Sequence, residues 1–426
     1  MNLELSTMAI PRSTVQIAFY LLASSVSASA STKYVLFARP PGSSFNQNDP
    51  STLNAAWLAA PNVGIGTNRS ARGSLRVGSE IIFSLLQSDD TTLLASLHAA
   101  LNASETTGVP VSVVLDGENW WSARPDLWNW FDPTRAGYNM ANAHNVEWTA
   151  PGNASSAVKI GWRNWGSQIR VPPQMNVLAP AVQAAVRPKL AAMAAAVAQW
   201  RAALPPERQH LLASVKIGWE AGVQYNAFYY PGGNELLSQP ASRDPKTGQN
   251  FSAGVSAGVQ QLGFAAAHIA GVGPVAGATG STVALDREQI AAITRQYIAW
   301  LSSIVVGAGV PPALVVNHVG GQVPPYGRTV PFAAAFDSNS TPGWSFYWGL
   351  PGDALRTEMQ AAGRTRWAAA EWNLRSKDEA TWREAFNGTL SFLDCAHVAV
   401  YNWDGDFEKS KEGQAALRDL LATWDT

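Results

Sequence analysis

The sequence predicts an α/β protein, a (β/α)8 TIM barrel with long loop insertions after its third and fourth strands. Three observations predict it. Eight short apolar runs of strand length recur along the chain, most of them separated by patterns of helical period, and that alternation builds a parallel sheet. No Gly-x-Gly-x-x-Gly follows the first run, which removes the usual dinucleotide signal of the open, doubly wound alternative. The runs end in carboxylates, amides and indoles, and in a closed barrel the carboxyl ends of the strands carry the site.

The first run is Tyr34 to Ala38, and the second, weaker in pattern, is Ser79 to Leu85. Asp89 and Asp90 then introduce a helix from Thr91 to Ser104. Val111 to Asp116 (VSVVLD) is the third strand, followed by a long loop that holds Trp128, Trp130, Trp148, Trp162 and Trp165. An alanine-rich amphipathic helix over Val182 to Leu204 leads into the fourth strand, Ser214 to Trp219. A helix over Asp286 to Val306 precedes the fifth, Ala313 to His318, and the sixth is either Pro331 to Phe336 or Trp344 to Trp348. A helix starting near Asp353 introduces the seventh strand, Arg366 to Glu371, and one over Lys377 to Leu393 introduces the eighth, Val398 to Trp403. The helix Lys411 to Trp424 closes the chain.

The stretch Ser238 to Gly254, rich in Pro, Gly and Ser, reads as a surface insertion, because strand runs continue on the same spacing beyond it. Residues 31–426 are therefore expected to form one barrel domain. Residues 1–30 read as a secretory signal, with Arg12, an apolar core from Val15 to Leu22 too short to span a bilayer, and the small residues Ala28, Ser29 and Ala30 at the cleavage point. Sequons at Asn68, Asn102, Asn153, Asn250, Asn339 and Asn387 fit that route, so a secreted or lumenal glycoprotein is expected.

Thirty basic against thirty-one acidic residues give a net charge of −1, without the electropositive footprint of a nucleic-acid binder. A neutral substrate is expected, with no nucleic-acid partner and no membrane association after signal cleavage. Cys395 is the only cysteine, so no intramolecular disulfide is available, and its place in the apolar run CAHVAVYNW suits a small buried hydrophobe. Six scattered histidines form neither His-x-His nor His-Glu-x-x-His, and no Gly-x-Ser-x-Gly elbow occurs, so neither a metal centre nor an esterase is indicated. No cofactor is implied.

Two glutamates dominate the strand ends. Glu220 closes LASVKIGWE and Glu371 closes RWAAAEWNL, each beside an indole, Trp219 and Trp372. An unpaired carboxylate within so apolar a run would be costly as structure, and glycosidic cleavage needs two carboxyls, one to protonate the leaving oxygen and one to attack or to activate water. The other strand ends and loops supply candidate contacts to a sugar: Asp116, Glu118, Trp120 and Trp121 after the third strand, Asn164 and Trp165 in its loop, and Tyr225 and Asn226 after the fourth. His318, Tyr347, Asn373 and Trp403 complete the set. Indole faces stack on sugar rings while amides and carboxylates bind hydroxyls, and eighteen tryptophans exceed what packing a core demands.

A glutamate ending strand four, a glutamate ending strand seven and a tryptophan ending strand eight resemble the pattern of the clan A glycoside hydrolases, retaining (β/α)8-barrel enzymes. The resemblance covers nearly all of the mature chain as architecture, while its specific motifs match loosely. It implies that Glu220 is the acid/base, Glu371 the nucleophile, Trp403 the platform under the sugar, and Tyr347 the residue that positions the nucleophile. One position departs: the family places an asparagine immediately before the acid/base, and Trp219 stands there, leaving Asn164 or Asn226 to bind the hydroxyl beside the anomeric carbon. β-Amylases also carry glutamates after strands four and seven but invert configuration, so an inverting hydrolase is one alternative. A non-catalytic carbohydrate-binding barrel is the other. Retention requires the two carboxyls about 5–5.5 Å apart, inversion about 6.5–9.5 Å. The roles further require Glu220 to hold its proton through a raised pKa and Glu371 to stay ionised.

Overall fold

Within a computed structural model of the chain, the described residues are 32–118, 121–148, 151–152, 154–158, 161–164, 168–171, 173–222, 263–273, 285–320, 331–347, 350–401 and 403–426, with backbone alone for 161–164 and 168–171. The expected signal and its cleavage point lie outside these residues, as do the sequons at Asn153 and Asn250.

Eight strands close into a parallel barrel: β1 (Lys33–Arg39), β2 (Leu75–Ser84), β3 (Val111–Asp116), β6 (Leu212–Ala221), β7 (Val315–Val319), β8 (Gly343–Tyr347), β9 (Arg366–Asn373) and β10 (Asp394–Val400). The two remaining strands, β4 (Gly161–Asn164) and β5 (Gln168–Val171), form an antiparallel hairpin within the connection from β3 to β6. Helices α1 (Ala55–Val63), α2 (Asp90–Thr107), α4 (Pro180–Ala203), α6 (Arg287–Gly307), α7 (Asp353–Ala361), α8 (Glu379–Ser391) and α9 (Lys411–Thr423) lie between or after barrel strands, with the short α3 (Pro125–Trp128) and α5 (Phe264–Ala270) in the longer connections.

Local chemistry sets the helix ends. Asp89 accepts the Thr92 N–H at the start of α2, and Gly108 ends that helix at φ 70°, a left-handed value glycine adopts without strain. Asp286 and Gln289 form a reciprocal capping box on α6, while Asp378 and Ser410 cap α8 and α9. The α6 helix is long and apolar enough to cross a membrane by composition, yet 56% of its most apolar stretch is buried inside the fold, as a barrel helix requires.

Alternation along the strands separates two environments. Phe37, Val77, Ile81, Phe83, Val113, Leu115, Val215 and Ile217 join one apolar cluster with Leu97, Val186, Leu190, Ile293 and Leu301 of the helices. The opposite faces turn into the barrel and are polar in the middle, where Glu80, Ser112, Ser214, Lys216, His318 and His397 are all buried. The sixth strand is the run at Trp344, since Phe332–Ala335 forms a 3-10 turn instead. The eighth begins at Asp394 and ends at Val400, three residues short of Trp403.

Candidate active site

Two irregularities in the barrel aim the glutamates. On β6, Ile217 pairs with Asn317 and Ala221 with Val319, so four steps on β6 answer two on β7. The surplus is taken up where Gly218 (φ 70°) and Glu220 (φ 50°) adopt left-handed backbone, a conformation that strains a non-glycine residue. A Cβ at Gly218 would lie 3.3 Å from Glu118 Oε1 and 3.4 Å from the His318 carbonyl, so the turn leaves room for little but glycine.

On β9 the displacement reverses the faces. Ala369 pairs with Trp344 of β8 and Val398 of β10, but Glu371 already pairs with Ser345 and Trp372 with Val400, which leaves one extra residue at Ala370. Trp367 and Ala369 belong to the helix-facing cluster, and uninterrupted alternation would send Glu371 after them. The bulge turns Glu371 inward and Trp372 outward.

Inside the barrel, Glu220, His318 and Glu371 each bring one donor atom within 4.8 Å of the other two, a group that is unique among the described residues. Ser345 links them: its Oγ lies 2.8 Å from His318 Nε2 and donates to Glu220 Oε1 at 3.1 Å. His318 Nε2 is 3.9 Å from Glu371 Oε2, and the Tyr347 hydroxyl donates to Glu371 Oε1. Burial, reinforced by the positive charge of Lys216, holds His318 well below its ordinary pKa, so the ring is neutral and donates from Nε2 to Ser345. Burial and then the adjacent Glu371 and Glu220 charges raise Tyr347 well above its ordinary value, which keeps the phenol a donor.

Burial, followed by repulsion from Glu220, pushes the Glu371 carboxyl well above its ordinary value, while the Tyr347 hydrogen bond and the Lys216 charge oppose that push. The upward push was expected at Glu220. At Glu371 the push follows from depth, since this carboxyl is 5% exposed whereas Glu220 is half-buried, and it favours the neutral form of a group expected to stay ionised. Carboxyls this close hold a proton as a pair. Two carboxylates with a neutral imidazole and a phenol can transfer a proton and attack an electrophilic carbon, and the same three donors are also near enough to share one divalent cation.

Of the predicted site residues, the structure brings together Glu220, His318, Tyr347 and Glu371. Trp219 is also inside the barrel, buried against Ile82 and Val114, with its ring 6.2 Å from that of Tyr401 and edge-on to it. Asp116 is fully buried at the end of β3 and accepts the Glu118 N–H at 2.9 Å, and Asn373 is buried at the end of β9.

Four other predicted residues have different surroundings. Trp372 faces the helix layer, stacked on Phe386 of α8 at 4.9 Å, because the bulge displaces it from the inner face. Trp403 is 4% exposed, with its ring 4.4 Å from Phe37 and 5.8 Å from Phe407, and packs with the barrel's outer aromatic core. Glu118 turns toward α6, where it accepts a hydrogen bond from Tyr297 behind Gly218. Trp121 is buried in the third connection, with its carbonyl accepting Trp128 Nε1 at 3.1 Å. The side chain of Asn164 and the whole of Trp120, Trp165, Tyr225 and Asn226 lie outside the described residues.

Sequence reasoning missed Ser345, Tyr401 and Lys216. Ser345 is two residues before Tyr347 and Tyr401 two after Ala399, so the two-residue period was a usable signal for both. Lys216, a lone cation inside an apolar strand run, was a second signal. No family model matches the chain, and no curated protein is significantly similar to it, so the likeness to clan A rests on the barrel and on the residues around Glu220 and Glu371.

Proposed function

We propose that this protein is a glycoside hydrolase that cleaves O-glycosidic bonds of a neutral oligo- or polysaccharide with retention of configuration. The observation that carries the reading is the Glu220 and Glu371 pair at the carboxyl ends of β6 and β9, with one oxygen of each within 4.8 Å. An approach of the nearest oxygens to within 4.8 Å is compatible with the about 5–5.5 Å carboxyl separation of retaining enzymes.

In the reacting form the proton that the pair shares sits on Glu220. In the first step Glu371, as the carboxylate, attacks the anomeric carbon while the bond to the leaving oxygen breaks, and that oxygen takes the Glu220 proton. In the second, Glu220, now a carboxylate, removes a proton from water, which attacks the same carbon and frees Glu371. Tyr347 steadies the nucleophile through its hydrogen bond, and the His318 to Ser345 to Glu220 chain orients the acid/base. Long insertions after β3 and β6 would wall the cleft, and secretion with a leader cleaved after Ala30 belongs to the same reading.

Screening aryl glycosides and polysaccharides with purified protein tests it. Turnover with retained anomeric configuration, and covalent labelling of Glu371 by a 2-deoxy-2-fluoro glycoside, are expected. Binding without turnover would favour the carbohydrate-binding alternative, and inverted product the inverting one. Activity abolished by a chelator and restored by a divalent cation would replace the acid/base pair with a metal centre on Glu220, His318 and Glu371.

A further inference from the structure

Beneath the two glutamates, the barrel interior holds an ion pair that no step of the reaction uses. Lys216 of β6 and Glu80 of β2 are 4% and 1% exposed, and Lys216 Nζ lies 2.5 Å from Glu80 Oε1. Ser112, which shares a 2.8 Å hydrogen bond with Ser214, approaches the second Glu80 oxygen at 3.4 Å. Desolvating both partners of such a pair costs about what their attraction returns, and apolar replacements of similar volume are often as stable, so stability alone gives a weak account of it.

The ammonium has a second partner, the Ala370 carbonyl at 2.7 Å. Ala370 is the extra residue of the β9 bulge, the one that reverses the strand's faces immediately before Glu371. Its methyl group is confined from β8 as well: a Cβ built on Gly343 would come within 2.9 Å of Ala370 Cβ and 2.4 Å of the Asn317 carbonyl. The bulge is thus gripped on the barrel side by Lys216 and laterally by β8.

We propose that Lys216 is a positioning residue for the site: its ammonium, anchored on Glu80, holds the Ala370 carbonyl and so fixes the direction in which Glu371 leaves the strand. The inference rests on the hydrolase reading for its consequence in catalysis, though its geometry does not. A displaced nucleophile loses rate rather than ground-state binding, since a misplacement of about 1 Å costs on the order of 100-fold.

The test compares Lys216→Met, Lys216→Arg and the double variant Glu80→Gln/Lys216→Met, whose core carries no charge to strand. Lys216→Met is expected to lower kcat on an aryl glycoside by about 100-fold with KM within about threefold, and Lys216→Arg, which keeps the charge and a donor, to recover part of that loss. The double variant is expected to fold and to remain as slow as Lys216→Met. A double variant with near wild-type kcat would overturn the proposal, because it would show that only an unpaired Glu80 had done harm. Should Lys216→Met fail to fold, the double variant alone decides.

If the wild-type protein turns over no glycoside, the hydrolase reading fails and the positioning inference is read without substrate. The 13C resonance of the Ala370 carbonyl should then shift in the double variant, and the couplings of Glu371 should average over χ1 rotamers. An unchanged carbonyl resonance and a single Glu371 rotamer would sink the inference on its own terms.

Discussion

Tyr347 donates its hydroxyl hydrogen to Oε1 of Glu371 across the β8 and β9 strands, whose register pairs Tyr347 with Asn373 and Ser345 with Glu371. A charge-assisted bond of this kind contributes about 1.5–3 kcal/mol to whichever state keeps it. Tyr347→Phe therefore raises the Glu371 pKa further, since it removes a group that favours the ionised form. The acidic limb of the pH–rate profile should move to higher pH and kcat should fall by about 10- to 100-fold, with the far-UV spectrum unchanged. A profile that keeps its acidic limb in place would remove Tyr347 from control of Glu371.

The two glutamates should separate in leaving-group dependence. Glu220→Gln is expected to lose about 10²–10⁴-fold on natural substrates and much less on aryl glycosides with good leaving groups, because those need no proton. Glu371→Gln should be inactive on both. Equal losses for Glu220→Gln on the two substrate types would show that it is not the acid.

Glu371→Gln carries a stability consequence whose sign follows from burial. The folded carboxyl binds its proton more tightly than the unfolded one, whose ordinary value is 4.5, so its contribution is fully present below that pH and is lost as pH rises through the folded value. Gln mimics the neutral acid at every pH. The variant should be no less stable than wild type below pH 4.5 and more stable at neutral pH, as read from urea unfolding.

Glu147 makes the same argument away from the barrel. It is buried in the third connection and accepts backbone N–H groups at the start of α5, with Ala265 at 3.3 Å and contributions from Ala266 and Gly263, yet burial outweighs these and pushes it up to about 8. Its stabilising contribution is present below 4.5 and lost as pH rises through about 8. The stability difference between Glu147→Gln and wild type should therefore grow across that window, by on the order of a few kcal/mol. A difference independent of pH would mean that Glu147 is not the titrating group.

Trp372 and Trp403 should behave as core. Truncation of either to Ala is expected to cost about 3–5 kcal/mol of stability while leaving the KM of an aryl glycoside within about twofold. For Trp403 this reverses what a sugar platform would do. A weakened affinity with an unchanged melting temperature would restore it to the site.

The order of strands and helices was legible from period and caps alone, down to Asp89 and Asp286 at their helix starts, because these signals are local. So was the placement of Glu220 and Glu371 toward the ends of their strands, since a carboxylate closing an apolar strand has few structural uses. Direction was not legible. A strand's period assigns side chains to faces only until a bulge intervenes, and the extra residue at Ala370 exchanges the faces of Glu371 and Trp372 without leaving a mark in the pattern AAAEW. The convergence of His318, Ser345 and Lys216 on those glutamates is likewise a product of closure, because strands distant in sequence share an interior only once the barrel is complete.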